Sequence, residues 1–352
     1  MLQARYRKYR FIFKTPGGTS RGVLHTKDSW HFFLNDTDDP DVTGIGECSI
    51  LPGLSPDDVP GLEKRIKEAI DELNKGKALP TSLRKDFPAI YFGCEMALRD
   101  LQQGGKRILY PSGFVNGETG IPINGLVWMG SFEVMKRQLV EKIESGFRCV
   151  KLKIGAIDFR EEIRLLRMIR DEFSPRDLEI RVDANGAFSP EEAPEKLGRL
   201  SAFSIHSIEQ PIRQGQWEAM SALCRAAELP IALDEELIGI HDSRKREEML
   251  QTIKPQYIIL KPSLVGGFAA SRDYISIAEK HGIGWWVTSA LEGNIGLNAI
   301  AQWTATLNVT MPQGLGTGQV FKNNIPSPLH IVKDRLYLDS PGRWDLKSLY
   351  ND

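Results

Sequence analysis

Arg148-Cys149-Val150-Lys151-Leu152-Lys153-Ile154 is an apolar run interrupted by two lysines and closed by Gly155. Alternate residues of a strand share a face, so Lys151 and Lys153 point the same way. A Lys-x-Lys pair alone is usually a solvated face. Here Cys149, Val150, Leu152 and Ile154 argue against a wholly wet one. The same grammar recurs on both sides. Short apolar runs ending in polar residues or Gly occupy 121–129, 148–154, 178–184, 205–212, 230–235, 257–263, 283–289 and 309–315. From Lys151 through Asp183, Glu209, Asp234 and Lys261 to Ser289, the intervals are 32, 26, 25, 27 and 28 residues. One strand, one helix and two short loops need about that length. Ser131, Asp158 and Ser189 are placed as helix N-caps between the runs, and Gly146 and Gly282 as helix stops. Eight such units predict a parallel βα barrel. An open doubly wound sheet would carry a Gly-rich phosphate fingerprint after its first strand, and none is present.

Upstream the pattern differs. Residues 10–14 and 29–34 are aromatic-rich runs that read as strands. Leu62, Ile66, Ile70 and Leu73 then follow helical spacing, with Ser55 and Asp58 expected as a capping box and Pro56 at the first helical position. A second helix is expected over 90–101. Downstream, Leu329-His330-Ile331-Val332 and Leu336-Tyr337-Leu338 flank a turn and read as a hairpin. The expected organisation is an α+β domain over 1–120, a barrel over 121–320, and a tail over 321–352 returning to the first domain.

Composition excludes several classes. Lys and Arg total 45 against 46 Asp and Glu, a net charge of −1, so a charge-driven nucleic-acid partner is not expected. No run approaches the roughly 18 apolar residues of a membrane span. The polar start has no apolar signal core, and the four scattered cysteines form no paired spacing, which together point to the cytoplasm. The six histidines show no metal spacing, and most of them read as solvated or satisfied core groups. Oligomeric state leaves no signal in the sequence.

In a parallel barrel the C-terminal strand ends form the reactive face. Those ends hold Lys151 and Lys153, Asp183, Glu209, Asp234, and Lys261. A single acid at a strand end is usually a helix cap. Three in register on successive strands are not, because capping does not need the strand position. Three converging carboxylates would repel unless compensated, and a hard divalent cation on oxygen ligands resolves that conflict. A metal flanked by amines suits proton abstraction next to a carboxylate.

As a set, these residues resemble the muconate-lactonizing subgroup of the enolase superfamily. The resemblance implies a modified TIM barrel, (β/α)7β, with an N-terminal α+β capping domain that the C-terminal tail completes. It implies magnesium, with manganese as a possible substitute, held by Asp183, Glu209 and Asp234. It implies Lys153 as acid and base, Lys151 as its electrostatic partner, and Lys261 on the opposite face. The strings Thr19 to Gly22, Gly46 to Ser55, Thr288 to Gly296, Gln313 to Gly318 and Asn323-Asn324 are most similar to the o-succinylbenzoate synthase family within that subgroup. That implies a lyase acting on a small-molecule carboxylate, with Arg21, Leu51, Asn185, Ser263, Ser289 and Leu291 expected to touch it. The alternative is an N-acylamino acid racemase or dipeptide epimerase. Dipeptide epimerases carry Asp-x-Asp near the eighth strand; Gly316-Thr317-Gly318 stands there instead, which disfavours an amino-group substrate.

Overall fold

A computed structural model describes residues 1–19, 22–340 and 342–350. The chain opens with an antiparallel meander of β1 (Leu2–Thr19), β2 (Gly22–Asp36) and β3 (Asp39–Ser49). Three helices cover one of its faces: α1 (Leu62–Asn74), α2 (Thr81–Asp86) and α3 (Pro88–Gln102). Trp30, Phe32 and Leu34 alternate along β2 and pack on Ile66, Ile70, Leu73, Ile90 and Cys94. Strand β3 lies directly on the backbone of α3. A Cβ at Gly46 would stand 1.9 Å from the Gly93 carbonyl oxygen, so only glycine fits there.

The expected capping box does not form. Helix α1 starts only at Leu62, behind Gly61. A helix begun at Pro56 would carry Pro60 in its interior, losing a backbone hydrogen bond and clashing with the preceding turn. Ser55 and Asp58 instead shape a loop. The Ser55 hydroxyl accepts from the Leu51 N–H at 2.8 Å, and Asp58 accepts from the Gly53 N–H at 2.7 Å. Asp57 ties that loop to the start of α3 by accepting from Ala89 and Ile90 at 3.1 and 3.0 Å.

The other face of the meander holds a buried polar patch. Lys27, Ser29 and His31 alternate on β2, with Ser49 opposite Ser29 and Glu47 opposite His31 on β3. Neither ring nitrogen of His31 has a hydrogen-bond partner, so this histidine is not the satisfied core group expected from sequence. Burial pushes it down to about 4; Glu47 opposes that shift and Lys27 adds to it. The unfolded chain binds a proton near pH 6.5 that the fold refuses, so stability is full above 6.5 and falls as pH drops toward 4. Replacing His31 with Phe removes this loss. The stability difference between His31→Phe and wild type, from urea melts at several pH values, is expected to widen by about 3 kcal/mol between pH 6.5 and 4. A pH-independent difference would contradict this.

The barrel follows. After β4 (Ile121–Pro122), the parallel strands are β5 (Gly125–Val127), β6 (Cys149–Lys153), β7 (Glu179–Asp183), β8 (Ser207–Glu209), β9 (Ile231–Leu233), β10 (Tyr257–Leu260) and β11 (Gly284–Val287), paired in that order. Between them run α4 (Phe132–Glu144), α5 (Phe159–Glu172), α6 (Ala193–Ser201), α7 (Trp217–Ala226), α8 (Ser243–Ile253), and α9 (Pro262–Val265) leading into α10 (Gly267–Lys280). Helix α11 (Asn294–Ala305) follows β11.

The eighth apolar run, 309–315, forms no full strand. Only Gln313 and Gly314 pair, Gln313 with Pro122 and Asn124, Gly314 with Val287 and Ser289, at 2.8–3.1 Å. Pro312 cannot donate, and Gly314 lies so close to Thr288 that a Cβ would meet its hydroxyl at 2.1 Å. Two residues therefore close the ring, giving (β/α)7β with an α+β cap. The hairpin of β12 (Leu329–Val332) and β13 (Arg335–Leu338) pairs with β4. Beyond it Trp344, Leu346 and Leu349 pack with Ile325 on Phe33 and Ile45 of the meander.

Candidate active site

Strand register builds the centre. Lys153 is level with Asp183 across β6 and β7, and Asp183 with Glu209 across β7 and β8. Asp234 and Lys261 each stand one residue beyond their strands, β9 and β10. Asp183, Glu209 and Asp234 are buried, and each offers an oxygen within 4.8 Å of the others. The carboxylates are not uncompensated, as the sequence had suggested. Lys151 pairs with Asp183 at 2.9 Å and also with Glu209. Lys153 pairs with Asp183 at 2.7 Å, and Lys261 with Asp234 at 2.7 Å. Three lysines thus face three carboxylates.

These neighbours set different protonation tendencies. Burial pushes the Lys153 amine below its ordinary range; Asp183 opposes this, while Lys151 and Lys261 add to it. Burial disfavours charge on Lys151 too, but Asp183, Glu209 and Asp234 outweigh it and raise that ammonium. Lys261 is likewise raised against its burial, by Asp234 and Glu235. Burial opposes ionisation of Asp183, yet Lys151 and Lys153 hold it below the carboxylate range. Glu209 is pushed up to about 7 by burial and by the two other acids, against the pull of Lys151. One site therefore contains a lysine biased toward the free amine between two that stay charged.

The donor set fits a hard divalent cation. All three acids offer oxygen, and the buried Oε1 of Glu209 has no hydrogen-bond partner.

Above the lysines opens a cavity of about 530 Å³. Lys151, Lys153 and Lys261 line its floor, and Leu24, Leu51, Leu54, Trp128, Leu291 and Val320 form an apolar wall. Of the residues expected to touch a substrate, Leu51, Asn185, Ser289 and Leu291 line it. Asn185 accepts from Lys153 at 2.7 Å. The Ser289 hydroxyl is shared with that of Thr317. Ser263 does not line the cavity. Its hydroxyl donates to Glu292 at 2.6 Å, because the turn after Lys261 carries it away from the mouth. Arg21 lies outside the described residues. Trp286 is both packing and cavity lining: it is buried beneath the Arg181 guanidinium, 4.4 Å from its ring centre, and reaches the floor.

Sequence reading missed Gln210 and Glu235. Gln210 accepts from Asp234 and Glu236 N–H at 3.1 and 3.2 Å, locking the ends of β8 and β9 together. Glu235 accepts from Asn185 at 2.9 Å. The left-handed backbone of Asn185 (φ 45), Gln210 (φ 38) and Leu291 (φ 59) clusters at this mouth. Such conformations concentrate at functional sites. Asn185 is of a residue type that favours positive φ, whereas Gln210 and Leu291 give no such signal in the sequence.

The Enolase C-terminal domain-like family matches residues 134–343. The chain is 49% identical to o-succinylbenzoate synthase of Desulfotalea psychrophila, covering 94% of this chain and 97% of that one. It is 28% identical to the N-succinylamino acid racemase of Amycolatopsis sp, covering 53% of this chain and 49% of that one. Among solved structures, MenC from Desulfotalea psychrophila superposes with a TM-score of 0.85 at 44% identity, over 96% of this chain and 99% of that one. The L-Ala-D/L-Glu epimerase of Bacillus subtilis gives 0.79 at 20% identity, over 97% of each chain, a likeness of fold alone.

Proposed function

The chain belongs to the Enolase C-terminal domain-like family, and from that premise we infer that it is an o-succinylbenzoate synthase, a lyase of menaquinone biosynthesis. The reaction is the syn dehydration of 2-succinyl-6-hydroxy-2,4-cyclohexadiene-1-carboxylate to 2-succinylbenzoate. The observation that carries this reading is the 49% identity across almost the whole of both chains, with the lysines and acids converging beneath one cavity.

Asp183, Glu209 and Asp234 would hold the cation, most simply Mg²⁺. When bound, it stabilises the negative charge that builds on the ring carboxylate as the adjacent proton leaves. With Lys153 as the free amine, two ammonium groups face three carboxylates, so a divalent cation leaves the floor net positive, which suits a substrate that carries carboxylates. Lys153, the amine biased toward neutrality, takes the proton alpha to the ring carboxylate. The same nitrogen, now an ammonium, returns a proton to the departing hydroxyl on the same face. Water leaves and the ring becomes aromatic. Lys261 stays charged over the opposite face, where it attracts the developing π system. Lys151 stays charged and keeps Lys153 from holding its proton too tightly.

A racemase reading also uses Lys153 and Lys261, one on each face. The cavity disfavours an amino-group substrate. Among its described lining residues Glu141 is the one acid, on α4 beside Lys142, and the strand-eight side offers Gly316 and Thr317. The four cysteines are buried and unpaired, which fits a reducing cytoplasm.

The tip of the 51–55 loop lines the cavity while its base is tied down by Asp57 and Ser55. Binding of 2-succinylbenzoate is expected to slow amide exchange at Gly53 and Leu54 by at least about tenfold, as a lid closes. Unchanged exchange would make this loop a passive wall. Turnover by the purified protein is the direct test of function: loss of activity on adding a chelator, and its return with Mg²⁺, are expected.

A further inference from the structure

Leu291 is a bulky residue held at φ 59, at the point where the apolar wall meets the substrate cavity. A leucine does not adopt that conformation unless its surroundings impose it. Two buried carboxylates grip the peptide on either side. Upstream, the Ala290 N–H donates to Glu292 at 2.6 Å, and the other oxygen of Glu292 accepts from Ser263 at 2.6 Å. Downstream, the Gly293 and Gly296 N–H groups donate to the two oxygens of Glu47 at 2.8 and 2.9 Å. Glu47 belongs to the cap, on β3, and receives a further bond from Ser29 at 3.0 Å. Lys27, buried on the same face, lies within electrostatic reach of both acids. Gly293 leaves room for Phe11, whose ring a Cβ there would meet at 2.3 Å.

The start of α11 is already capped, by Glu47 on the Gly293 and Gly296 N–H groups and by Asn324, which accepts from the Asn294 N–H at 2.9 Å. Glu292 acts upstream of the helix, on the residue just before Leu291, so capping does not account for it. We propose that Glu47 and Glu292 are positioning residues that clamp Leu291 in its left-handed conformation, so that the cap shapes the substrate seat through a residue of the barrel. Neither acid lines the cavity. Leu291 packs with Phe11, Phe13 and Phe321 and lines the cavity beside Leu51. Released, its backbone relaxes to negative φ and its side chain leaves the wall. The lysines are untouched, so binding suffers rather than chemistry.

This rests on the dehydratase reading, and a substitution cycle separates the two. Glycine adopts positive φ unaided, and at 291 it leaves no side chain to aim. Steady-state kinetics would compare wild type, Glu292→Gln, Leu291→Gly and the double variant, with Mg²⁺ and the dehydration substrate. Glu292→Gln is expected to raise KM about tenfold with kcat within about twofold; in the Leu291→Gly background it is expected to change KM less than about twofold. KM effects that multiply, or a fall in kcat at constant KM, would overturn the proposal. Glu47→Gln is expected to behave as Glu292→Gln does. If either acid variant fails to fold, Ser263→Ala removes one bond to Glu292 and is expected to move KM in the same direction. If wild type does not turn over the substrate, the dehydratase reading fails. The clamp is then judged by a crystal structure of Glu292→Gln or, should that not fold, of Ser263→Ala. Negative φ at Leu291 supports it and an unchanged φ overturns it.

Discussion

Lys153→Ala is expected to lower kcat for dehydration by at least about 10⁴-fold, the upper end of what one general acid–base group supplies. The loss is large because one nitrogen makes both proton transfers of a syn elimination. No other group can replace it. Lys151 is held charged by three acids, the Asn185 amide is not a base, and Lys261 pairs with Asp234 on the other side of the floor. Lys261→Arg keeps a cation at that position and is expected to retain a trace of dehydration, although the broader guanidinium fits poorly. Racemisation of an N-acylamino acid needs a base on each face and is expected to fail in both variants. Dehydration surviving in Lys153→Ala would mean that the base has been misassigned.

Loss of any one acid is expected to be nearly as severe. Asp183→Asn, Glu209→Gln and Asp234→Asn each remove one charged ligand and are expected to lower kcat by at least about 10³-fold, since the stabilisation a bound cation provides is several kcal/mol. Asp183→Asn takes the carboxylate partner from Lys153 and Asp234→Asn that of Lys261, whereas after Glu209→Gln Lys151 keeps Asp183, so thermal melts belong beside the kinetics. The effects on metal binding and on folding are separable. Titration calorimetry with Mg²⁺ on the folded variants is expected to show weakened binding in all three. Full activity of wild type in a chelator would remove the cation from the mechanism altogether.

The barrel and the gathering of its ionisable residues at one mouth were legible because each of those residues interrupts an apolar run at a strand end. Asp183, Glu209 and Asp234 needed no contact information to be placed on one mouth, since the βα period does that. The eighth strand was not legible. The run at 309–315 is apolar, but Pro312 and the tight seat of Gly314 against Thr288 reduce it to two pairing residues. The start of α1 was misplaced because Ser55 and Asp58 looked like a cap while Pro60, further on, forbade the helix. The polar face of the meander escaped notice for a different reason. Lys27, Ser29 and His31 alternate with Trp30 and Phe32, which reads as a solvated face opposite a core. The barrel covers that face, and nothing local in the sequence announces a second buried side. Gln210, Glu235 and Glu47 act through hydrogen bonds to other elements, which leave no periodic trace.

The most direct measurement follows two reactions on the same Mg²⁺-loaded protein. One is formation of 2-succinylbenzoate from 2-succinyl-6-hydroxy-2,4-cyclohexadiene-1-carboxylate, read by ultraviolet absorbance. The other is racemisation of an N-succinylamino acid, read by polarimetry. Dehydration is expected to exceed racemisation in kcat/KM by at least about tenfold, about 1.4 kcal/mol of barrier. Racemisation faster than dehydration, or no 2-succinylbenzoate at all, would contradict the assignment of the substrate.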